Sequence, residues 1–211
     1  MTDTALEKIA QARLLPVVVL ERAEDAVPLA KALLAGGLAV AEVTFRSDAA
    51  AESLSAIAAE VPDMLIGAGT VLTEAQVQAA LDAGAQFLVT PGYNPKVVAA
   101  ARAAGLPIVP GVNNPTGVEA AMADGLDAVK FFPAEQTGGV AFLKALSGPY
   151  RQMRFIPTGG IGLGNLGNYL SLPSVLACGG SWMVDPKLIA AGKFDEISKL
   201  TAAAVEAARA A

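Results

Sequence analysis

The sequence predicts a closed (β/α)8 barrel. Short apolar segments alternate with Ala-rich amphipathic ones along nearly all of the 211 residues, and such alternation implies parallel strands joined by helices. Eight of these units can be counted, the number that closes a barrel. Several amphipathic segments stop at a glycine (Gly36, Gly84, Gly105, Gly125), as helix C-termini commonly do. In chain order, strands are expected at 16–20, 38–44, 64–68, 86–90, 107–110, 128–132, 154–157 and 175–178. Helices are expected at 24–35, 48–60, 74–83, 95–104, 116–124, 140–146, 164–170 and 194–208. Ahead of the first strand, Leu6, Ile9, Ala10 and Leu14 follow helical spacing. They suggest an extra N-terminal helix covering one mouth of the barrel, with a frayed end as the alternative. The chain is near the lower size limit for this fold, so its loops must be short. A flavodoxin-like open sheet needs fewer units than are present. With no linker or charge block to divide it, the chain (1–211) reads as one domain.

Composition narrows the chemistry. Hydrophobic residues make up 54% and mean hydropathy is +0.49, enough for a sizeable core. No apolar run approaches the roughly 18–20 residues that span a bilayer. The run at 14–20 is short, contains Pro16 and is followed by Glu21-Arg22, unlike a signal peptide. A cytoplasmic protein without membrane attachment is expected. A net charge of −5 without a basic cluster argues against nucleic acid as a partner. Cys178 is the only cysteine, which excludes an internal disulfide and a thiolate zinc site, and it reads as a small buried apolar residue. Histidine is absent, which removes Ser-His and Cys-His nucleophiles and histidine-held metal centres. A carboxylate-bound Mg²⁺ remains chemically open but has no recognisable ligand motif. The inventory favours amine chemistry.

Lys130 is the most informative residue. It lies in Asp127-Ala128-Val129-Lys130-Phe131-Phe132-Pro133, where alternation puts Ala128, Lys130 and Phe132 on one face. If both faces are buried, the ammonium points into an interior where a free charge is costly. A lysine there tends to lose its proton, and a neutral amine attacks ketones. Taken alone, the segment reads more readily as a strand-end lysine reaching solvent, and it is the rest of the chain that reverses this.

The second strand leads into Glu42-Val43-Thr44-Phe45-Arg46. Val40, Glu42, Thr44 and Arg46 share one face, and Ala41, Val43 and Phe45 share the other. The apolar set suits helix packing, leaving acid, hydroxyl and guanidinium for the interior. Arg46 could hold a carboxylate bidentately while Glu42 moves protons; a buried Glu–Arg ion pair is the structural alternative. Gly67-Ala68-Gly69-Thr70 ends the third strand, where Thr70 can donate to an anion, and Thr90-Pro91-Gly92 ends the fourth. Either could equally be a plain turn. After the last two strands come Pro157-Thr158-Gly159-Gly160-Ile161 and Cys178-Gly179-Gly180-Ser181-Trp182. Barrels often hold a phosphate there on backbone amides and a hydroxyl.

Taken together, these segments resemble the KDPG/KHG aldolase family of class I aldolases. The motifs are Gly37 with Glu42-Val43-Thr44-Phe45-Arg46, Gly67-Ala68-Gly69-Thr70-Val71-Leu72, Pro91-Gly92 and Lys130-Phe131-Phe132-Pro133-Ala134-Glu135. They continue with Gly138-Gly139, Pro157-Thr158-Gly159-Gly160-Ile161, Asn165, Tyr169-Leu170 and Gly179-Gly180-Ser181-Trp182. Phe45, Ser47, Ile156, Asn113-Asn114 and the glycines at 162, 164 and 167 depart mildly from the family pattern.

The resemblance implies that Lys130 forms a Schiff base with the substrate's C2 ketone and that Glu42 shuttles protons. It implies that Arg46 and Thr70 hold the pyruvyl carboxylate, that Phe132 packs on the intermediate and that Pro91 belongs to the substrate site. Thr158 would lie near the aldehyde end, and Gly159, Gly160, Gly179, Gly180 and Ser181 would receive a phosphate. The implied substrate is a phosphorylated keto acid split to pyruvate and glyceraldehyde 3-phosphate, with 4-hydroxy-2-oxoglutarate as a second substrate. The implied assembly is a homotrimer, and the implied chemistry requires no metal or other cofactor. One competing reading is a phosphosugar isomerase, epimerase or decarboxylase on the same barrel, which does not need a lysine paired with an arginine clamp; the other is a non-catalytic phosphate-binding barrel, whose signature would be loss of Lys130 or Glu42, and both are present.

Overall fold

The structure, a computed structural model, describes residues 4–211. It is an α/β fold on curled parallel sheet. Helix α1 (Thr4–Ala12) leads into β1 (Leu14–Val18), and a 3-10 turn (Ala23–Asp25) precedes α2 (Ala26–Ala35). Then follow β2 (Val40–Thr44), α3 (Ala50–Glu60), β3 (Leu65–Gly69), α4 (Glu74–Asp82), β4 (Leu88–Val89) and α5 (Pro95–Ala103). The middle contains β5 (Ile108–Val109), β6 (Gly111–Val112), α6 (Pro115–Ala123), β7 (Ala128–Phe131) and α7 (Gly139–Ser147). The chain closes with β8 (Arg154–Pro157), α8 (Leu166–Leu170), β9 (Cys178–Gly180), α9 (Pro186–Ala190) and α10 (Phe194–Ala210).

Every strand pair among the described residues is parallel. Six strands run in the order β5-β4-β3-β2-β1-β9, and three in the order β6-β7-β8. Single parallel bridges, Phe155 to Val175 and Thr158 to Gly179, join the two sheets along one side. On the other side β5 and β6 are separated only by Pro110, whose ring nitrogen has no proton to donate, although its carbonyl still accepts from the Lys130 amide at 2.9 Å.

The apolar residues do what the alternation anticipates. All five residues of β1, β2 and β3 are buried, as expected of strands covered on both faces. Helix stops at Gly84, Gly105 and Gly125 have left-handed φ of 83°, 70° and 73°. Gly36 departs from that pattern: its φ is −78°, and it is Gly37 that turns left-handed at 85°. Gly36 is needed for another reason, since a Cβ there would lie 2.5 Å from the Thr201 side chain of α10.

Most boundaries shift by a residue or two from the sequence reading, and three differences bear on the site and its surroundings. The first strand begins at Leu14, so Leu14 belongs to β1 and not to the N-terminal helix stripe; its register partner is Cys178. The last strand spans Cys178–Gly180, so the Gly-Gly pair read as loop is itself strand, with Gly179 opposite Leu15 and Gly180 opposite Pro16. The short helix α9 went unread, although Asp185 accepts from the Lys187 amide at 2.8 Å with Pro186 at the first helical position. Helix α1 exists as expected, burying Ala5 and Ile9 at the end from which β1 starts. Among the described residues no helix is long and apolar enough to cross a membrane.

Candidate active site

Parallel strands bring residues distant in sequence to a common end of the sheet. Lys130 on β7 and Glu42 on β2 are 88 positions apart, yet Nζ lies 3.4 Å from Glu42 Oε1. Both side chains are almost wholly buried, 5% and 1% exposed, so the pair is screened little by water. The second carboxylate oxygen, Oε2, is buried with no hydrogen-bond partner among the described residues. An oxygen in that state has its acceptor capacity free, a costly arrangement in a protein that does not use it. The Phe132 ring centroid lies 5.3 Å from the Lys130 nitrogen, close enough for its face to attract a cation and for its body to exclude water.

Space for the carboxylate comes from Gly69. A Cβ there would fall 2.1 Å from Glu42 Oε1, and on Gly67 it would run into the Phe87 ring at 2.3 Å. The two glycines at the end of β3 are therefore explained by close approach of side chains. Thr44 shares the Glu42 face but is committed elsewhere, its hydroxyl donating to the Val18 carbonyl at 2.8 Å. Arg46 lies past the end of β2 in an exposed turn; its Nε donates to Thr70 Oγ1 at 3.4 Å. The Glu42 ion pair is thus with Lys130, and Arg46 remains near Thr70 with most of its donors turned to solvent. Thr70 has a φ of 56°, uncommon for a branched residue.

Pro91 and Phe132 line one groove of about 520 Å³, together with Val112 and Asn113. Arg46 lines a separate depression of about 360 Å³. A cavity of about 780 Å³ lies at the opposite end of the strands, between α1 and the strand starts at Pro107, Ala128 and Arg154, far from the chemistry. Geometry around Lys130 and Glu42, and not cavity size, marks the site.

The two glycine loops meet side by side. Thr158 is buried and bridges Gly179, where a Cβ would lie 2.2 Å from Thr158 Oγ1. At Gly180 a Cβ would lie 1.8 Å from the Trp182 ring, so this glycine is demanded by the indole beside it. Ser181 is exposed just past β9. Gly159 and Gly160 turn left-handed at φ 105° and 78°. Among the described residues no protein group accepts from the amides of Gly160 or Ile161. Two free amides in a turn of this kind form a concavity suited to an anion.

Glu135 and Tyr169 were noticed in the sequence only as members of motifs. Their side chains meet, the Tyr169 hydroxyl donating to Glu135 Oε1. Thr90 was likewise passed over; its hydroxyl donates to the Gly92 carbonyl at 2.6 Å and accepts from Gly111 at 3.3 Å, tying β4 to β6. A buried threonine directly before Pro-Gly was the available signal. Among the described residues, no three Asp, Glu or Cys side chains gather as a metal would require.

Comparison with known proteins identifies the lineage. A family model described as "KDPG and KHG aldolase" matches residues 6–200. The 2-dehydro-3-deoxy-phosphogluconate aldolase of Haemophilus influenzae is 52% identical over 199 residues, 94% of each chain. A crystal structure of KDPG aldolase from Legionella pneumophila, with pyruvate captured as a covalent carbinolamine, superposes with a TM-score of 0.91 at 40% identity, covering 94% of this chain and 97% of that one. The 2-keto-3-deoxy-6-phosphogluconate aldolase of Zymomonas mobilis, solved with 3-phosphoglycerate, gives a TM-score of 0.84 at 40% identity, covering 95% and 97%. The chain described here belongs to the KDPG and KHG aldolase family.

Proposed function

We propose that this chain is a Schiff-base lyase that cleaves 2-keto-3-deoxy-6-phosphogluconate to pyruvate and glyceraldehyde 3-phosphate, and 4-hydroxy-2-oxoglutarate to pyruvate and glyoxylate. The observation that carries the reading is the buried Lys130–Glu42 pair at 3.4 Å, with one carboxylate oxygen still free. The carbinolamine of the Legionella relative is the chemical precedent.

The roles follow from position. Glu42 accepts a proton from Lys130, freeing the amine lone pair to attack the C2 carbonyl. The carbinolamine loses its oxygen as water, protonated by Glu42 directly or through a water, and a protonated imine remains. When a base removes the C4 hydroxyl proton, the C3–C4 bond breaks and its electron pair moves into the imine as an enamine. The aldehyde leaves, C3 takes a proton, and hydrolysis returns pyruvate and the free amine. Arg46 and Thr70 bind the carboxylate, so Arg46 must swing from its exposed position toward Lys130. Phe132 and Pro91 wall the pyruvyl end, and Thr158 stands near the aldehyde. Gly159, Gly160, Gly179, Gly180 and Ser181 receive the phosphate; the free amides of the Gly159 turn support this, as does the phosphate-bearing ligand of the Zymomonas relative. Fixing both ends would hold the scissile bond over the lysine.

The scaffold we propose is an eight-stranded barrel forming one domain. In it β5 and β6 are halves of one strand broken at Pro110, and the bridges at Phe155 and Thr158 complete the ring. The assembly is a cytoplasmic homotrimer.

Borohydride trapping tests the mechanism. Incubation with pyruvate and borohydride is expected to inactivate the protein and leave a reduced pyruvyl adduct on Lys130, seen by peptide mass mapping. An adduct on another lysine, or none, would sink the Schiff-base reading.

A further inference from the structure

Tyr169 is fully buried on α8, and a phenylalanine would fill the same space. Its hydroxyl serves one contact, the carboxylate of Glu135, 34 positions earlier on the turn between β7 and α7. The Glu135 backbone and stem lie against the Gly159 turn. Its amide donates to the Gly159 carbonyl at 3.1 Å, and a Cβ on Gly160 would fall 2.7 Å from Glu135 Cγ. On Gly139 a Cβ would fall 3.2 Å from Glu135 Oε1 and 3.5 Å from the Tyr169 oxygen, so Gly139 too leaves room for this contact. The far side of the turn is held by Asn165, which accepts from the Gly162 amide at 2.9 Å and donates to the Gly160 carbonyl at 3.1 Å. The turn is gripped from both sides by side chains, while the amides of Gly160 and Ile161 stay free.

We propose that Glu135 and Tyr169 form a clasp that positions the Gly159 turn for the phosphate group and thereby sets the preference for phosphorylated over non-phosphorylated keto acid. Both are positioning residues: they act through backbone amides. The inference rests on the aldolase reading and on phosphate binding at that turn. Burial, and then the bond to Glu135, push the Tyr169 hydroxyl well above its ordinary pKa, so it remains a donor throughout the working pH range. Without the clasp, the Glu135 stem would be free to leave Gly160, and amides aimed at an anion lose strength steeply as their angles open.

Three variants test this. Tyr169→Phe keeps the ring and removes the bond. Glu135→Ala removes it from the exposed partner, where unfolding is not a concern, and Glu135→Gln keeps an accepting oxygen. Tyr169→Phe and Glu135→Ala are each expected to raise KM for the phosphorylated substrate roughly tenfold, the scale of one hydrogen bond near a charge, with kcat little altered. Cleavage of 4-hydroxy-2-oxoglutarate should stay within about twofold, and Glu135→Gln should restore most of the loss. Equal losses on both substrates would mean general support of the fold, and no loss on either would mean the bond is idle; each outcome overturns the clasp. Inorganic phosphate titrated into the same proteins, followed by phosphorus NMR line broadening, reads the turn without turnover. A wild-type protein that binds phosphate but cleaves neither substrate would overturn the aldolase reading alone. Phosphate affinity unaltered by Tyr169→Phe would overturn the clasp alone.

Discussion

At the scale of single residues, Lys130 and Glu42 support each other, and removing either has two separable consequences. Glu42→Gln preserves shape but removes the base, so turnover should fall by roughly 10²–10⁴-fold, the usual contribution of a positioned acid–base group. Exchange of solvent protons into the methyl group of pyruvate should slow in parallel, and near-normal exchange would move the role elsewhere. Lys130→Ala should abolish turnover and also destabilise, because it strands a carboxylate that is 1% exposed; breaking a buried pair typically costs about 3–5 kcal/mol. Combining Lys130→Met with Glu42→Gln should recover most of that stability without recovering activity, as read by urea denaturation. Cys178 makes a different claim. Burial pushes its thiol up to about 12 from the ordinary 9.0, so the folded chain keeps a proton that the unfolded chain releases. The stability this contributes is present below about 9 and lost as pH rises toward about 12. Cys178→Ala should flatten the alkaline limb of a stability–pH curve across that window, and the native thiol should resist alkylation at pH near 8.

Elements carry the site through their ends. Strand β2 presents Glu42 because alternation turns it toward Lys130, and β3 leaves room because it ends in glycine. Gly69→Ala should therefore act as a catalytic lesion: a Cβ 2.1 Å from Glu42 Oε1 displaces the carboxylate, and misplacement by about 1 Å can cost roughly 10²-fold in rate. Gly164→Ala, where a Cβ meets nothing within 4 Å and φ is not left-handed, is the control and should stay within about 0.5 kcal/mol and near-normal activity. A Gly69→Ala protein with full kcat would mean that Glu42 has space the structure does not suggest. Much of this level was legible in the sequence. Periodicity gave the strand faces of Glu42 and Lys130, and capping residues such as Thr73, Asn94 and Asn114 start helices where polar–apolar boundaries lie. What was not legible were facts set by neighbours distant in sequence. Gly180 makes room for Trp182 and Gly179 for Thr158, contacts that no local pattern announces. Strand β9 begins where its pairing with Leu14 and Leu15 begins, which no local pattern announces. Glu135 and Tyr169 meet only because the sheet brings α8 beside the β7–α7 turn.

For the whole molecule, the apolar residues left outside the core bear on assembly. Leu72, Phe142 and Leu163 are 50%, 38% and 48% exposed in the isolated chain. Phe142 also stacks on Phe131 at a centroid distance of 5.9 Å, directly beside Lys130 in sequence, so a partner lying against Phe142 would brace the strand that carries the lysine. Singly scattered apolar residues are ordinary on a monomer, and 54% hydrophobic content can be absorbed by the parallel strands and the helices that cover them. The trimer expectation therefore rests on family membership and is decided by mass. Light scattering coupled to size exclusion should give about three times 21.3 kDa at micromolar concentration. Phe142→Asp or Leu163→Asp, at the surface of the single chain, should then shift the mass toward 21.3 kDa if that residue lies in the interface. Because Phe142 sits against Phe131, dissociation through that position should also lower kcat, whereas dissociation through Leu163 should leave kcat closer to wild type. A mass of 21.3 kDa for the unaltered protein would overturn the trimer and leave Phe142 as packing for β7 alone.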